Sequence, residues 1–264
     1  MRLRQRHEPA GRRRLDGVLT RPRVIWIDPA GTDFTGTPIE AFAGRLRPEV
    51  HFTLLGLRVW GLAPGDPYDM EVEVAGVAET AGSRPVHLAG FSAGATVALA
   101  AALALGDAVR SVALVEPAFI GDDDWHPDEA EWRAAIGSLR SSGPREQVDA
   151  FREMLMAPGA TPPPSRGPAA WDFRDDLPGT MLTTKTGFAS SDLARLGASL
   201  LLIRGGQSAP RFGHVARRLV QVCPRASEHV FPALHHFAPP YRDEPEELSQ
   251  LLLGLWSRND RDNV

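Results

Sequence analysis

The chain has 264 residues, 43% of them apolar and 23% charged, with a net charge of −4, the balance of a globular chain long enough to bury its own core. That charge excludes the strongly basic footprint of a nucleic-acid binder, and no apolar run reaches the roughly 18 residues that a membrane span needs. The single cysteine, Cys223, cannot form an intramolecular disulfide and fits a reducing compartment.

The first segment, residues 2–23, carries eight arginines and reads as a solvated edge. It lacks the apolar stretch of a secretory signal, so a cytoplasmic protein is expected. Segments near 2–7 and 12–19 look like an antiparallel hairpin at a sheet edge. Six short apolar runs follow: "RVIWID" (23–28), "HFTLLGL" (51–57), "PVHLAG" (85–90), "SVALVEP" (111–117), "ASLLLIRG" (198–205) and "SEHVFPA" (227–233). Helical patterns lie between them, at 38–46, 69–82, 93–105, 211–222 and 243–257. Alternation of short apolar strands with helices predicts a mostly parallel sheet wrapped on both faces. Residues 93–105 are apolar nearly all round, which predicts burial against that sheet.

One interval breaks the alternation. Residues 118–197 contain "PDEAEWRAAIGSLR" and "PREQVDAFREMLMAPG", both helix-like with proline near the start, and then the proline-rich "PGATPPPSRGP". A plain connector of about 80 residues is implausible. The expected organisation is a core of residues 1–117 and 198–264, with 118–197 inserted as a mainly helical cap.

The motif with chemical content is Gly90-Phe91-Ser92-Ala93-Gly94. It stands between a strand and a helix, the context in which Gly-x-Ser-x-Gly acts as a nucleophile elbow. The tight bend lifts the Ser92 hydroxyl above the sheet edge, and the flanking glycines leave room for neighbouring backbone. The backbone N–H of Ala93, at the helix N-terminus, points into the same space, where an oxyanion would form.

This elbow, the order of elements, the interruption after "LVEP" and a histidine near the C-terminus together resemble the α/β-hydrolase fold, from about residue 12 to 257. The resemblance implies an eight-stranded, mostly parallel sheet with the active site at its C-terminal edge. It also implies the chain order nucleophile, acid, histidine. His236 in "ALHHFAPP" stands where that family keeps its base, with Phe237 and Pro239 after it as the family pattern has them; His235 is the alternative. His87, inside an apolar strand, reads as a core residue. No His/Cys/Asp/Glu cluster has metal-ligand spacing, so neither metal nor cofactor is expected.

Two places depart from the family pattern. The family most often sets its acid about three residues beyond "ASLLLIRG", where this chain has Ser208, and no Asp or Glu lies between Asp192 and Glu228. The acid must then come from elsewhere or be missing. Glu116, at the end of "VALVEP", is the first candidate, because the resemblance puts that strand beside the elbow strand; Asp122, Asp123 and Asp124 are the second. The loop after "VIWID", often His-Gly in the family, reads Asp28-Pro29 here. Pro29 has no N–H to donate, so Ala30, with Gly31 next, is the expected second oxyanion donor.

The expected reaction is hydrolysis of a small or medium apolar carboxylic ester. Trp125, Trp132, Phe151, Met154, Met156, Trp171 and Phe173 of the insertion are available to a pocket or to the cap's own core. A serine nucleophile excludes the branch of the family that attacks with aspartate. Two alternatives stay open: a non-hydrolytic lyase or cyclase using the same Ser-His pair, and a catalytically weak ligand-binding member of the fold. The expected partner is a small-molecule substrate, and the oligomeric state is left open, a dimer included.

Overall fold

The computed structural model describes residues 21–29, 37–63, 66–118, 131–132, 134–135, 138, 144–162 and 187–261. Among them six strands form one parallel sheet: β1 (Arg23–Asp28), β2 (His51–Gly56), β3 (Val86–Phe91), β4 (Val109–Val115), β5 (Ser199–Gly205) and β6 (Ala226–Phe231), in the order β2-β1-β3-β4-β5-β6. The expected edge hairpin near 2–7 and 12–19 lies outside the described residues.

The side chains of a strand alternate between faces, and this sheet uses both. Ile25, Ile27, Leu88, Val112, Leu114, Leu200 and Leu202 pack on one face against helix α3 (Ala93–Leu105). Their neighbours Val24, Trp26, Ala89, Ala113, Val115, Leu201 and Ile203 pack on the other. There they meet α1 (Pro38–Leu46) and the long C-terminal helix Pro245–Arg261. Burial on both faces is why the central strands read as continuous apolar runs. Every residue of α3 from Gly94 to Ala102 is buried, and its alanines let it lie close to the sheet. Helix α2 (Met70–Ala81) covers the same face, started by Asp69, whose carboxylate accepts from Val72 N–H at 3.1 Å.

After β1 the chain moves outward to β2, then returns across to β3, and α1 and α3 fall on opposite faces. In an open parallel sheet such a reversal is where ligand crevices form, and here it falls at the C-terminal ends of β1 and β3. Asp28-Pro29 and Ser92 stand at its two sides.

Of the interval 118–197, the described part includes α4 (Pro144–Met154) and α5 (Ser190–Ala194). The segment leaving α4 is tied to the loop after β5. Met156 and Ser208 form an antiparallel bridge, Ala157 N–H donates to Gln207 O at 3.0 Å, and Ala209 N–H donates to Leu155 O at 3.0 Å. Helix α6 (Pro210–Val222) and β6 follow, then α7 (Pro240–Asp243) and α8 (Pro245–Arg261). No helix among the described residues is long and apolar enough to cross a membrane.

The opposite edge of the sheet holds a buried polar cluster. His87, at the start of β3, faces Ser111 of β4 in register, with Nδ1 and Oγ 2.8 Å apart. Its Nε2 lies 3.2 Å from Asp260 Oδ1 of α8, which also pairs with Arg110. Because the carboxylate can only accept, Nε2 carries the proton and Nδ1 accepts from Ser111. Burial holds the His87 pKa below its ordinary value, against the pull of Asp260 and with that of Arg110. A base with a lowered folded pKa takes up its proton less readily folded than unfolded. Its contribution is therefore complete above the unfolded value of about 6.5 and is lost as pH falls below it. We expect the melting temperature to fall between pH 7 and pH 5, and the fall to be shallower in His87→Gln; thermal denaturation across that range checks it.

Candidate active site

The site is built on three strand ends. Ser92 follows β3 directly and has φ 52° and ψ −122°, a region that a residue with a side chain enters only under strain, at a cost of about 1–3 kcal/mol. The bend is held from both sides: Ser92 N–H donates to Val115 O at 2.9 Å, and its carbonyl accepts from Ala95 and Ala118 at 3.0 and 3.1 Å. The flanking glycines are required sterically. A Cβ on Gly94 would lie 2.1 Å from Ile27 O, and one on Gly90 would lie 2.5 Å from the Gly94 carbonyl. The Ser92 side chain does not cap α3, although it stands at the N-cap. Ala93 opens the helix beside it.

Glu116 follows β4 and is the other non-glycine residue at positive φ among the described residues, at 45°. Its N–H donates to Ile203 O of β5 at 2.9 Å, which fastens the bend to the next strand. Its carboxylate is fully engaged: Oε1 accepts from Gly205 N–H at 2.7 Å and Oε2 lies 2.8 Å from His236 Nδ1. Glu116 is 3% exposed, His236 4% and Ser92 6%.

The imidazole of His236 is wedged between aromatic rings. Phe91, next to Ser92, lies 4.8 Å away between ring centres, Phe212 stacks at 5.2 Å and 14°, and Phe237 presents its edge at 5.5 Å. This packing fixes the ring's plane, and the Glu116 contact fixes its rotation and makes Nδ1 the protonated nitrogen. His235 is engaged differently. Its Nδ1 accepts from Phe237 N–H at 3.1 Å, a local turn bond, and burial holds its pKa below the ordinary value.

The loop after β5, where the family pattern has an acid, has another role here. Ser208 is buried and its hydroxyl has no hydrogen-bond partner among the described residues. The two glycines before it let the histidine loop close in. A Cβ on Gly205 would lie 2.2 Å from Leu234 O, and one on Gly206 would lie 2.5 Å from Pro232 O. Gly206 N–H and Gln207 N–H donate to Phe231 O and Leu234 O at 2.8 and 2.9 Å. The loop thus brings His236 to Glu116 rather than supplying a carboxylate of its own.

Of the residues singled out in the sequence, the structure brings Glu116 and His236 into contact, and the backbone N–H of Ser92 is bonded to Val115 O, the residue before Glu116. Ala30, Gly31, Asp122, Asp123 and Asp124 lie outside the described residues, as do Trp125, Trp171 and Phe173. Trp132, Met154 and Met156 line a cavity of about 550 Å³ together with Ala209 and Arg211. The Arg211 guanidinium lies 3.9 Å over the Trp132 ring, and the next residue, Phe212, is the ring stacked on His236. Phe151 is instead core, packed with Leu155, Ala209 and Phe212. Sequence reasoning missed the aromatic cage and the use of Gly205 as a donor. The "GG" after β5 was the available signal for a close backbone approach there. No group of three or more metal-binding side chains occurs among the described residues.

The profile of the alpha/beta hydrolase family matches residues 22–251. The chain belongs to that family. No curated protein matches the chain. Solved structures of the same fold include the carboxylesterase CesB (YbfK) from Bacillus subtilis, at 15% identity and TM-score 0.56 over 89% of this chain and 83% of that one. The esterase EaEST from Exiguobacterium antarcticum matches at 19% identity and TM-score 0.60 over 90% and 93%. A meta-cleavage product hydrolase from Pseudomonas fluorescens, CumD, matches at 16% and 0.60 over 90% and 92%. At these identities the likeness is one of fold, and the family supports hydrolase chemistry in general.

Gly205 serves both the Glu116 carboxylate and the histidine loop, so Gly205→Ala should overpack the site and destabilise the protein by about 1–3 kcal/mol. Gly44→Ala is the control, since a Cβ there meets no atom within 4 Å. It should leave stability level or raise it. Urea denaturation of the two variants checks the contrast.

Proposed function

We propose that this family member is a serine hydrolase that cleaves a small or medium apolar carboxylic ester. The observation that carries the reading is the 2.8 Å contact between buried Glu116 and His236 Nδ1. It leaves Nε2 as the nitrogen free to exchange a proton with Ser92. In this reading Ser92 Oγ attacks the carbonyl carbon while His236 Nε2 takes its proton. Glu116 stays ionised, holds the ring and stabilises the imidazolium. The carbonyl oxygen, now negative, accepts from Ala93 N–H and from the loop after β1 at Ala30, with Gly31 next. The tetrahedral intermediate collapses, His236 returns the proton to the leaving alcohol, and water repeats the sequence to release the acid and free Ser92. No cofactor or metal takes part in these steps.

Residues 1–117 and 198–264 act as the core and 118–197 as a cap over the crevice. The cavity lined by Trp132, Met154, Met156 and Arg211 is the place this reading gives to the apolar part of the ester. A reducing, cytoplasmic setting accords with Cys223, which is buried and whose thiol pKa burial raises to about 11.

Short p-nitrophenyl esters and a fluorophosphonate probe test the assignment. Ser92→Ala should lose both hydrolysis and labelling. Glu116→Gln should keep the packing but lower kcat by as much as about 10⁴, the cost seen when an orienting carboxylate is removed elsewhere, whereas Asp122→Asn should change little. Equal small losses in the two carboxylate variants would reject Glu116 as the acid, and native protein that resists the probe would favour the ligand-binding reading.

A further inference from the structure

We propose that Arg152 is a positioning residue for His236, acting through the ring of Phe237. Its effect on catalysis rests on the hydrolase reading; its hold on the imidazole does not. Arg152 stands in the last turn of α4, in the interval between β4 and β5. Its guanidinium carbon lies over the Phe237 ring, 4.6 Å from the centre, within the range at which a cation is drawn to an aromatic face. Phe237 in turn meets the His236 imidazole at 5.5 Å between ring centres and 82° between planes. A cation thus stands behind one of the three rings that enclose the base.

The helix that carries Arg152 is fastened to the site at several points. Consecutive residues of a helix do not share a face, so Phe151 and Arg152 reach different neighbours. Phe151 is buried with Leu155, Ala209 and Phe212, the ring stacked on His236. Arg152 goes to Phe237. Two adjacent residues of α4 therefore back two different rings of the cage. The chain leaving the helix is held by main-chain bonds: Leu155 O accepts from Ala209 N–H and Ala157 N–H donates to Gln207 O, both at 3.0 Å. From the same loop after β5, Gln207 N–H donates to Leu234 O at 2.9 Å, two residues before His236. Helix α4, that loop and the histidine loop form one bonded series.

Phe237 is the ring of the three that most needs such support. Its main chain is tied on both sides, since its N–H donates to His235 Nδ1 at 3.1 Å and its carbonyl accepts from Arg242 Nη2 at 2.9 Å. Its side chain is only half-buried, whereas Phe91 and Phe212 are buried. The freedom that remains is rotation of the ring, and the terminal torsion of a phenylalanine is broad. A guanidinium over one face restricts it. A ring that turned away would leave the imidazole unpacked on that side, and the contact of Nδ1 with Glu116 Oε2 would lose its fixed direction.

Arg152→Met keeps most of the stem and deletes the cation. The proton between His236 Nδ1 and Glu116 gives a far-downfield NMR signal that needs no substrate. In Arg152→Met that signal should shift or broaden, and kcat for p-nitrophenyl acetate should fall about 10-fold. KM should stay within about a factor of two, because the lost interaction belongs to the transition state. Arg152→Lys, which keeps a cation, should retain most of kcat. Phe237→Leu removes the ring through which Arg152 acts, so adding Arg152→Met to it should cost no further kcat, the non-additivity of coupled residues. Five results overturn the inference while leaving the hydrolase reading intact: native kcat with a native signal in Arg152→Met, equal losses in the Met and Lys variants, losses that add to that of Phe237→Leu, a loss confined to KM, or one confined to the melting temperature. If the native protein neither hydrolyses the ester nor reacts with the fluorophosphonate, the hydrolase reading falls, and the NMR signal alone decides whether Arg152 positions His236.

Discussion

A negative charge taken out of water must be given partners, and in this protein the partners of Glu116 define the candidate site. One carboxylate oxygen is bonded by the Gly205 N–H and the other by His236 Nδ1. Leaving either oxygen unbonded would expose the full cost of a buried ion. The ends of β4 and β5 and the histidine loop are thus drawn to one point. The same bonds that keep the charge tolerable also choose the imidazole tautomer and its direction. Structural need and the role proposed for Glu116 are met by one pair of contacts.

Strain and close approach are concentrated around that point. The two non-glycine residues at positive φ among those described are Ser92 and Glu116. Ser92 is bound to the strand of Glu116 through Val115 O, and Glu116 to β5 through Ile203 O. Each bend is over-determined by its neighbours, which is the condition under which such strain persists. Gly90, Gly94 and Gly205 are placed where backbone passes backbone at distances no Cβ permits. The site is a tight crossing of main chains that happens to present three side chains.

The two ends of the sheet show how little residue type alone says about chemistry. His87, Ser111 and Asp260 are bonded in a line at the N-terminal edge, much as a nucleophile, base and acid would be. That Ser111 is fully buried within the β4–β5 ladder and keeps its place in the strand. At the C-terminal edge the strand order reverses, helices diverge to opposite faces, and Ser92 and Glu116 stand on positive-φ bends just past their strands. Place in the topology, rather than composition, separates a structural tie from a candidate reactive group.

Local pattern was enough to determine the alternating strands and helices, the parallel sheet and the elbow, because each depends on residues close in sequence. "RVIWID", "PVHLAG" and "ASLLLIRG" advertise central strands by their unbroken apolar character, and Gly-x-Ser-x-Gly advertises its bend by the space it leaves. The absence of any acid after β5 was also legible, and it pointed to Glu116. What the linear order could not decide was which neighbouring histidine meets that carboxylate, since both stand in one loop and differ only in the direction each ring takes. Tertiary structure decides it by packing. Phe91, Phe212 and Phe237, from three separate parts of the chain, enclose His236, and a local backbone bond takes His235. The same holds for Trp60 and Pro29, which are 31 residues apart in sequence and meet only because β1 and β2 lie side by side.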